Sequence, residues 1–512
     1  MTREALLGRL RCWITTGSPA RQTAATILVC LAVGVALGAL FGVLGPLVAV
    51  ALLAALTGGI LMLRSTRITF VALIAVICLL PFGTLPLPGV GFTPTLLDII
   101  LVVLLFTWLF QVARKKQQHL RGSVLGPSVM TLMVLACVSF VIGLTFGSIT
   151  TSLVRQFAEL LLNYVLFFLV LNTVRSRQDL EQVLTVLILA GCVAGTVGVV
   201  LYFLPENLTI RLLSMLRIFG YPSGSDVMVH VESNPELPFR ATSTSINPNV
   251  LGGMLALVGA LTLPQLLSTD PLSLFRHGPR RWGLNWLAVV ALGPMVSCLL
   301  LSYSRGAMVG LAAGMLSIAL LRYRKLLLLG LAAGVFLLLL PQMQWYLAHF
   351  LEGIQGEDLA TQMRFGEYKD ALILISRYPW FGVGFAGAPS IDVYIGVSNM
   401  YLLVAEEMGM FGLTAFLVAM GLALRELLRG LRRTGIEARL ESMMLGFVAA
   451  LVAALVTGVF DHYFVNINFQ HAVALLWLIA GLGIVSTLRL SSSGLTDENL
   501  SSTPGRVDTL PR

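Results

Sequence analysis

The sequence predicts an all-α fold, a polytopic membrane helix bundle of about fourteen transmembrane helices with about twelve as the lower count. Three observations carry that prediction. Hydrophobic residues make up 57% of the 512 and charged residues 12%, where a soluble domain has about 45–50% and about 25%. The apolar runs, such as Leu97 to Phe110 and Leu327 to Leu340, are apolar on every face rather than alternating, which excludes the dyad pattern of a membrane barrel. The basic residues, finally, fall mostly into alternate inter-span segments.

At about 20 apolar residues per span, the runs place helices near 24–42, 45–63, 68–84, 95–113, 126–146, 153–172 and 181–203. Seven more follow near 247–268, 284–302, 305–321, 325–341, 399–424, 441–461 and 469–487. The run from Ala24 to Leu40 is long, and a second apolar run follows almost at once, which favours a span over a cleaved signal. With the N-terminus inside, twenty-six of the 34 basic residues lie in cytoplasmic segments. The positive-inside rule then puts both termini in the cytoplasm. The same topology accounts for the formal charge of +9 without invoking nucleic acid.

The chain accordingly divides into a cytoplasmic N-terminal segment (1–23), an N-terminal bundle (24–203), a first external loop (204–246) and central helices (247–341). A large external loop (342–398), C-terminal helices (399–487) and a cytoplasmic tail (488–512) complete it; the tail is polar, with Pro504 and Pro511, and is expected to be disordered. Cys12, Cys30, Cys78, Cys137, Cys192 and Cys298 are scattered singly, a pattern of buried thiols and not of a zinc site or disulfide framework.

In a chain whose cations sit inside, the external ones are informative: Arg155, Arg211, Arg217, Arg240, Arg305, Arg364, Lys369 and Arg377. Arg155 precedes Glu159 by four residues, so the two are expected to pair on one helix face. Arg211 and Arg217 are placed to meet lipid headgroups. Arg305 lies in Ser302-Tyr303-Ser304-Arg305-Gly306 between two apolar runs, where a cation is costly unless an anion or dipole meets it. Arg364 opens an amphipathic stretch that ends at Tyr378-Pro379-Trp380-Phe381-Gly382-Val383-Gly384; its alternative role is pairing with Glu367 or Tyr368. Guanidinium groups match phosphate oxygens in pairs, so several on one external pocket would suit a diphosphate.

Four segments resemble the superfamily of O-antigen ligases and Wzy-type polysaccharide polymerases. They are Phe239-Arg240-Ala241-Thr242 with Asn247-Pro248-Asn249-Val250; Ser302 to Gly306; Arg364 through Pro379 with Phe381-Gly382-Val383-Gly384; and Asn399-Met400-Tyr401-Leu402 with Glu407-Met408-Gly409-Met410-Phe411-Gly412. The resemblance covers roughly residues 235–465. It implies a GT-C-like glycosyltransferase without metal or other cofactor, in the bacterial inner membrane, working on polyprenyl-diphosphate-linked glycans at the periplasmic face. The implied partners are that donor, a glycan or lipid acceptor, the bilayer and, further, a chain-length regulator.

By the same resemblance Arg305 and Arg364 bind the donor diphosphate, with Arg240 as a weaker third contact and Asn247, Asn249, Ser398, Asn399 and Tyr401 as supporting residues. The chain departs from the ligases at Ser398, where they usually carry histidine. A serine hydroxyl is a poor base, which tilts the expectation from ligase to polymerase. Candidates for the base are Glu367, Glu406, Glu407, Asp461 and His462. Glu406 and Glu407 lie about two turns inside a span, where an ionisable residue suggests function, though pairing with Arg305 or Arg364 would make them structural. For His462 an interfacial or capping role is the alternative. A transporter is the rival from another class; against it stand few mid-span charges, Asp98 and Glu159, and no internal repeat.

Overall fold

The computed structural model describes residues 34, 57–85, 93–114, 120–231, 234, 236–267, 284–328, 330, 359–387, 396–433, 435 and 437–501. Most of each of the expected spans at 24–42, 45–63 and 325–341 lies outside the described residues. The chain divides into Met1–Ser65, in which residues 57–64 are helical, and a compact unit, Thr66–Arg512.

Among its described residues the second unit is mainly helical. Its elements are α1 (Thr66–Leu79), α2 (Leu96–Ala113), α3 (Gly126–Gly143), α4 (Thr151–Thr173), α5 (Arg177–Phe203), the short α6 (Glu206–Ser214), α7 (Pro248–Leu267), α8 (Leu284–Leu301) and α9 (Arg305–Leu321). Then come α10 (Leu359–Arg377), α11 (Met400–Leu431), α12 (Ala438–Thr457) and α13 (Gln470–Ser501). Eight helices among the described residues are long and apolar enough to cross a membrane, and α1, α9 and the Leu287–Leu301 part of α8 are shorter apolar helices. The chain is therefore a polytopic membrane helix bundle. Among the described residues there is no strand, only the isolated bridges Thr84–Thr95 and His230–Phe239.

Caps set several helix starts. Thr95 and Asp98 form a capping box on α2, Ser176 and Asp179 another on α5, and Thr150 caps α4, each satisfying an amide the first turn leaves unpaired. α7 and α12 pack along each other and along α9 and α13 at the centre. Small residues allow this approach: a Cβ built on Gly310 of α9 would strike Thr457 Oγ1, and one on Gly314 would lie 2.8 Å from Ala449 O. Close backbone approach is how membrane helices gain packing where lipid removes the hydrophobic incentive.

Both regions read as long external loops contain helix. In the first, α6 and two 3₁₀ turns fold over a small apolar cluster of Leu201, Leu213 and Val227, and Thr84 N donates to Phe219 O at 2.7 Å. In the second, α10 lies against α11, burying Ala371 and Leu374. α13 runs past the span boundary at 487 to Ser501, because the first proline is Pro504 and none earlier breaks the helical ladder. Of the expected buried thiols, Cys12 and Cys30 lie outside the described residues; Cys78 and Cys298 are buried, Cys192 is half-buried and Cys137 is exposed.

Candidate functional site

The segment after α12, Gly458 to Phe469, gathers the ends of four other elements. The N-terminus of α11 is stitched to it: Asn399 Nδ2 donates to Val459 O at 2.8 Å and Met400 N to Gly458 O at 2.7 Å. Tyr401 Oη donates to Leu455 O at 2.7 Å. Asn399 Oδ1 accepts from Tyr401 N and Leu402 N, so Asn399 and Tyr401 act as cap and clasp.

The first turn of α9 reaches the same segment, since a Cβ on Gly306 would lie 2.6 Å from Phe460 Cβ. α7 arrives from the other side, where Gly253 leaves room for the Tyr463 hydroxyl and Gly252 for Ser302 and Ser304. Asn247 caps α7 through Asn249 N at 2.9 Å and Val250 N at 3.3 Å, with Pro248 opening the helix as its fixed φ favours.

Arg240 is fixed between these helices. Its Nε donates to Ser302 O at 2.8 Å and its Nη2 to Asn249 Oδ1 at 2.6 Å; its backbone is held by Arg240 N to Val229 O at 2.8 Å. Arg305 is the first residue of α9 and half-buried. Positive φ values cluster here, at Ser243 (51°), Ile246 (59°) and Tyr303 (52°), and Ile246, being β-branched, pays most for it. Such strain persists where the surroundings over-determine the backbone, typically at functional sites.

α10 supplies Arg364, Glu367 and Tyr368, all half-buried on one face. Glu367 Oε2 accepts from Ser398 N at 2.9 Å and Tyr368 Oη lies 3.5 Å from Ser398 O. Asp461, on the Gly458–Phe469 segment, lies within electrostatic reach of both Arg364 and Arg240. Burial pushes its carboxyl above the usual aspartate range, against the pull of His462, Arg364 and Arg240. Asp461 Oδ1 accepts from His462 N at 2.8 Å, and His462 Nδ1 lies 3.7 Å from the same oxygen. Burial likewise raises the phenols of Tyr368 and Tyr303 above their ordinary range.

The candidates for a base thus separate. Asp461, with His462 beside it, lies within electrostatic reach of Arg364 and Arg240, and Glu367 meets Ser398. Glu406 and Glu407 are buried in α11, 1% and 6% exposed, and neither makes an ion pair with an arginine among the described residues. What these two offer instead is backbone. α11 breaks at Gly409 (φ 66°, ψ −172°), and the freed carbonyls of Glu406 and Glu407 accept from Val383 N at 2.8 Å and Gly384 N at 2.9 Å, while Met410 N donates to Pro379 O at 2.7 Å.

The loop Trp380 to Gly384 is thereby seated in the kink, locking α10 to α11 and so fixing Arg364. Gly382 and Gly384, at φ 70° and 74°, leave no room for a side chain: a Cβ on either would collide with Glu406 O or Ser139 O. This docking was not legible in the sequence, where Gly382, Gly384 and Gly409 were its only trace.

Arg155 pairs as expected with Glu159 at 3.0 Å, and also with Asp98 at 3.0 Å. No group of three or more metal-ligating side chains occurs among the described residues.

Comparison with known families matches residues 287–417 to the model described as O-antigen ligase. The matched stretch holds Arg305, Arg364, Glu367, Ser398, Glu406 and Glu407 and stops short of Arg240 and Asp461. No curated protein matches the chain.

Proposed function

We propose that this chain, a membrane protein whose residues 287–417 match the O-antigen ligase family, polymerises polyprenyl-diphosphate-linked oligosaccharide repeats at the periplasmic face of the bacterial inner membrane. The observation that carries the reading is the placing of Arg240, Arg305 and Arg364 around the Gly458–Phe469 segment, with Asp461 within reach of two of them. Both termini lie in the cytoplasm on the positive-inside reading.

In this mechanism an acceptor sugar hydroxyl attacks the anomeric carbon of the donor. The bond from that carbon to the diphosphate oxygen breaks, and polyprenyl diphosphate leaves with the bonding pair. Arg305 and Arg364, with Arg240 behind them, hold the diphosphate and offset the charge that develops on it. The hydroxyl proton passes to Asp461. Its oxygen Oδ2 is not committed to the His462 amide, and a raised carboxyl is a better base near neutral pH than an ordinary one. Glu367 is occupied with Ser398, and Glu406 and Glu407 are too buried to meet a hydroxyl in solvent.

Ser398 in place of the ligase histidine favours polymerase over ligase, the second reading. Purified protein given a polyprenyl-diphosphate-linked oligosaccharide distinguishes them: a ladder of lipid-linked repeats supports the polymerase, and single transfer to an added lipid acceptor supports the ligase. Arg305→Lys and Arg364→Lys keep the charge and lose the paired donors. Full-length product from both, at normal expression, would refute the diphosphate clamp, and no transfer with donor binding intact would favour transport.

A further inference from the structure

At the end of the bundle opposite the candidate site, five of the described arginines are matched by carboxylates. Arg67 pairs with Asp179 at 3.1 Å, Arg177 with Glu181 and Glu437, Arg439 with Glu181 at 3.0 Å, Arg322 with Glu441 at 3.1 Å and Arg429 with Glu426 at 3.1 Å. Arg121 and Arg175 differ. They come from the segments before α3 and after α4 and meet on one residue, the buried Asn172: Arg121 N donates to Asn172 Oδ1 at 2.9 Å and Arg175 Nε to Asn172 O at 3.0 Å. Asn172 is itself tied to Phe168 O at 2.9 Å. Neither guanidinium has a carboxylate partner among the described residues.

Burial and the neighbouring Arg121 charge both lower the Arg175 guanidinium from its ordinary value, the mark of two like charges held together. An exposed pair of that kind would normally be relieved by a carboxylate; Asn172 instead keeps the Arg121 backbone beside the Arg175 guanidinium. Next to Arg121, Leu120 is 64% exposed and Val124 56% exposed. Apolar side chains flanking a cation at the end of membrane helices place the segment where headgroup gives way to hydrocarbon.

We infer that Arg121 and Arg175 form a binding site for the phosphate of an anionic phospholipid in the cytoplasmic leaflet, with Leu120 and Val124 against its acyl chains. Two guanidinium groups supply more donors than one phosphate needs, and the anion removes the repulsion that the protein leaves unrelieved. The site lies away from the arginines of the proposed transfer reaction and does not depend on that reading.

The test is native mass spectrometry of the full-length protein in detergent, titrated with phosphatidylglycerol or with phosphatidylcholine of the same acyl chains. Wild type should retain phosphatidylglycerol and release phosphatidylcholine. Arg121→Gln with Arg175→Gln should weaken phosphatidylglycerol binding about thirtyfold, at roughly fivefold for each arginine near the headgroup plane. The double lysine variant, which keeps both charges, should bind it within about threefold of wild type, and it guards against misfolding of the glutamine protein. Arg324→Gln, at an exposed arginine in the turn beyond α9, should change nothing. The inference fails if the glutamine variant retains the lipid as wild type does or if Arg324→Gln loses as much. It fails too if inorganic phosphate displaces the lipid at equal concentration, which would mark a site for the free ion.

Discussion

Gly409→Ala tests the seating of the Trp380–Gly384 loop in the broken helix. Gly409 has φ 66° and ψ −172°, a region that only glycine occupies freely and that costs another residue about 1–3 kcal/mol. The new Cβ would lie 2.2 Å from Trp380 O and 2.3 Å from Trp380 C, so the loop backbone must retreat by about 1 Å to reach ordinary contact. That retreat would break Val383 N to Glu406 O, Gly384 N to Glu407 O and Met410 N to Pro379 O. At about 1 kcal/mol each, they bring the cost to about 4–6 kcal/mol, a large part of a typical folding free energy.

The assay is thermal unfolding of the purified protein followed by size-exclusion chromatography, alongside the transfer reaction. The matched control is Gly421→Ala on the same helix, where no atom lies within 4 Å of the new Cβ and the gain in helix propensity is up to about 1 kcal/mol. Gly409→Ala should melt far below wild type and lose transfer through misplacement of Arg364, whereas Gly421→Ala should melt at or above it. If both melt together and both transfer normally, the loop is not held by the kink, and the account of how α10 is positioned falls.

Other expectations follow from the same contacts. Asp461→Asn should lower kcat by about 10²–10⁴-fold, the range of a lost general base, with little change in donor KM. In wild type, transfer should fall as pH drops through the Asp461 pKa, at a higher pH than the about 3.9 of a free aspartate would give. The stability sign is opposite: because the folded carboxyl is raised, its contribution is fully present below the unfolded pKa and is lost as pH rises through the folded one, and Asp461→Asn should remove that slope in melts taken across pH. Arg155→Ala leaves Asp98 and Glu159 together without their cation and should cost about 3–5 kcal/mol. Adding Glu159→Gln should restore part of the lost melting temperature, and a double variant no better than the single would sink the ion-pair account.

Three of the four resembling segments, all but the one at residues 239–250, lie within the family match over residues 287–417, and they were legible because such motifs are local. So was the bundle itself: span length and all-round apolarity follow from the thickness of the bilayer, which any run of side chains must match wherever its helix comes to lie. Arg155 and Glu159 could be paired from spacing alone, since residues four apart are neighbours on any helix. Asp98, which completes that triad from 57 residues away, could not. Glu406 and Glu407 show the limit most clearly. Their charge and depth suggested side-chain chemistry, yet α11 breaks beside them and their backbone carbonyls hold a loop. Whether Asp461 meets Arg240 and Arg364 was likewise hidden, because it rests on how α7, α9, α10 and α12 end against one another. A sequence states which residues can share a helix face, and helix length is a property of one segment. Which faces meet is set by glycine-lined contacts between helices and by a loop seated in a kink, and these exist only once the whole bundle has packed.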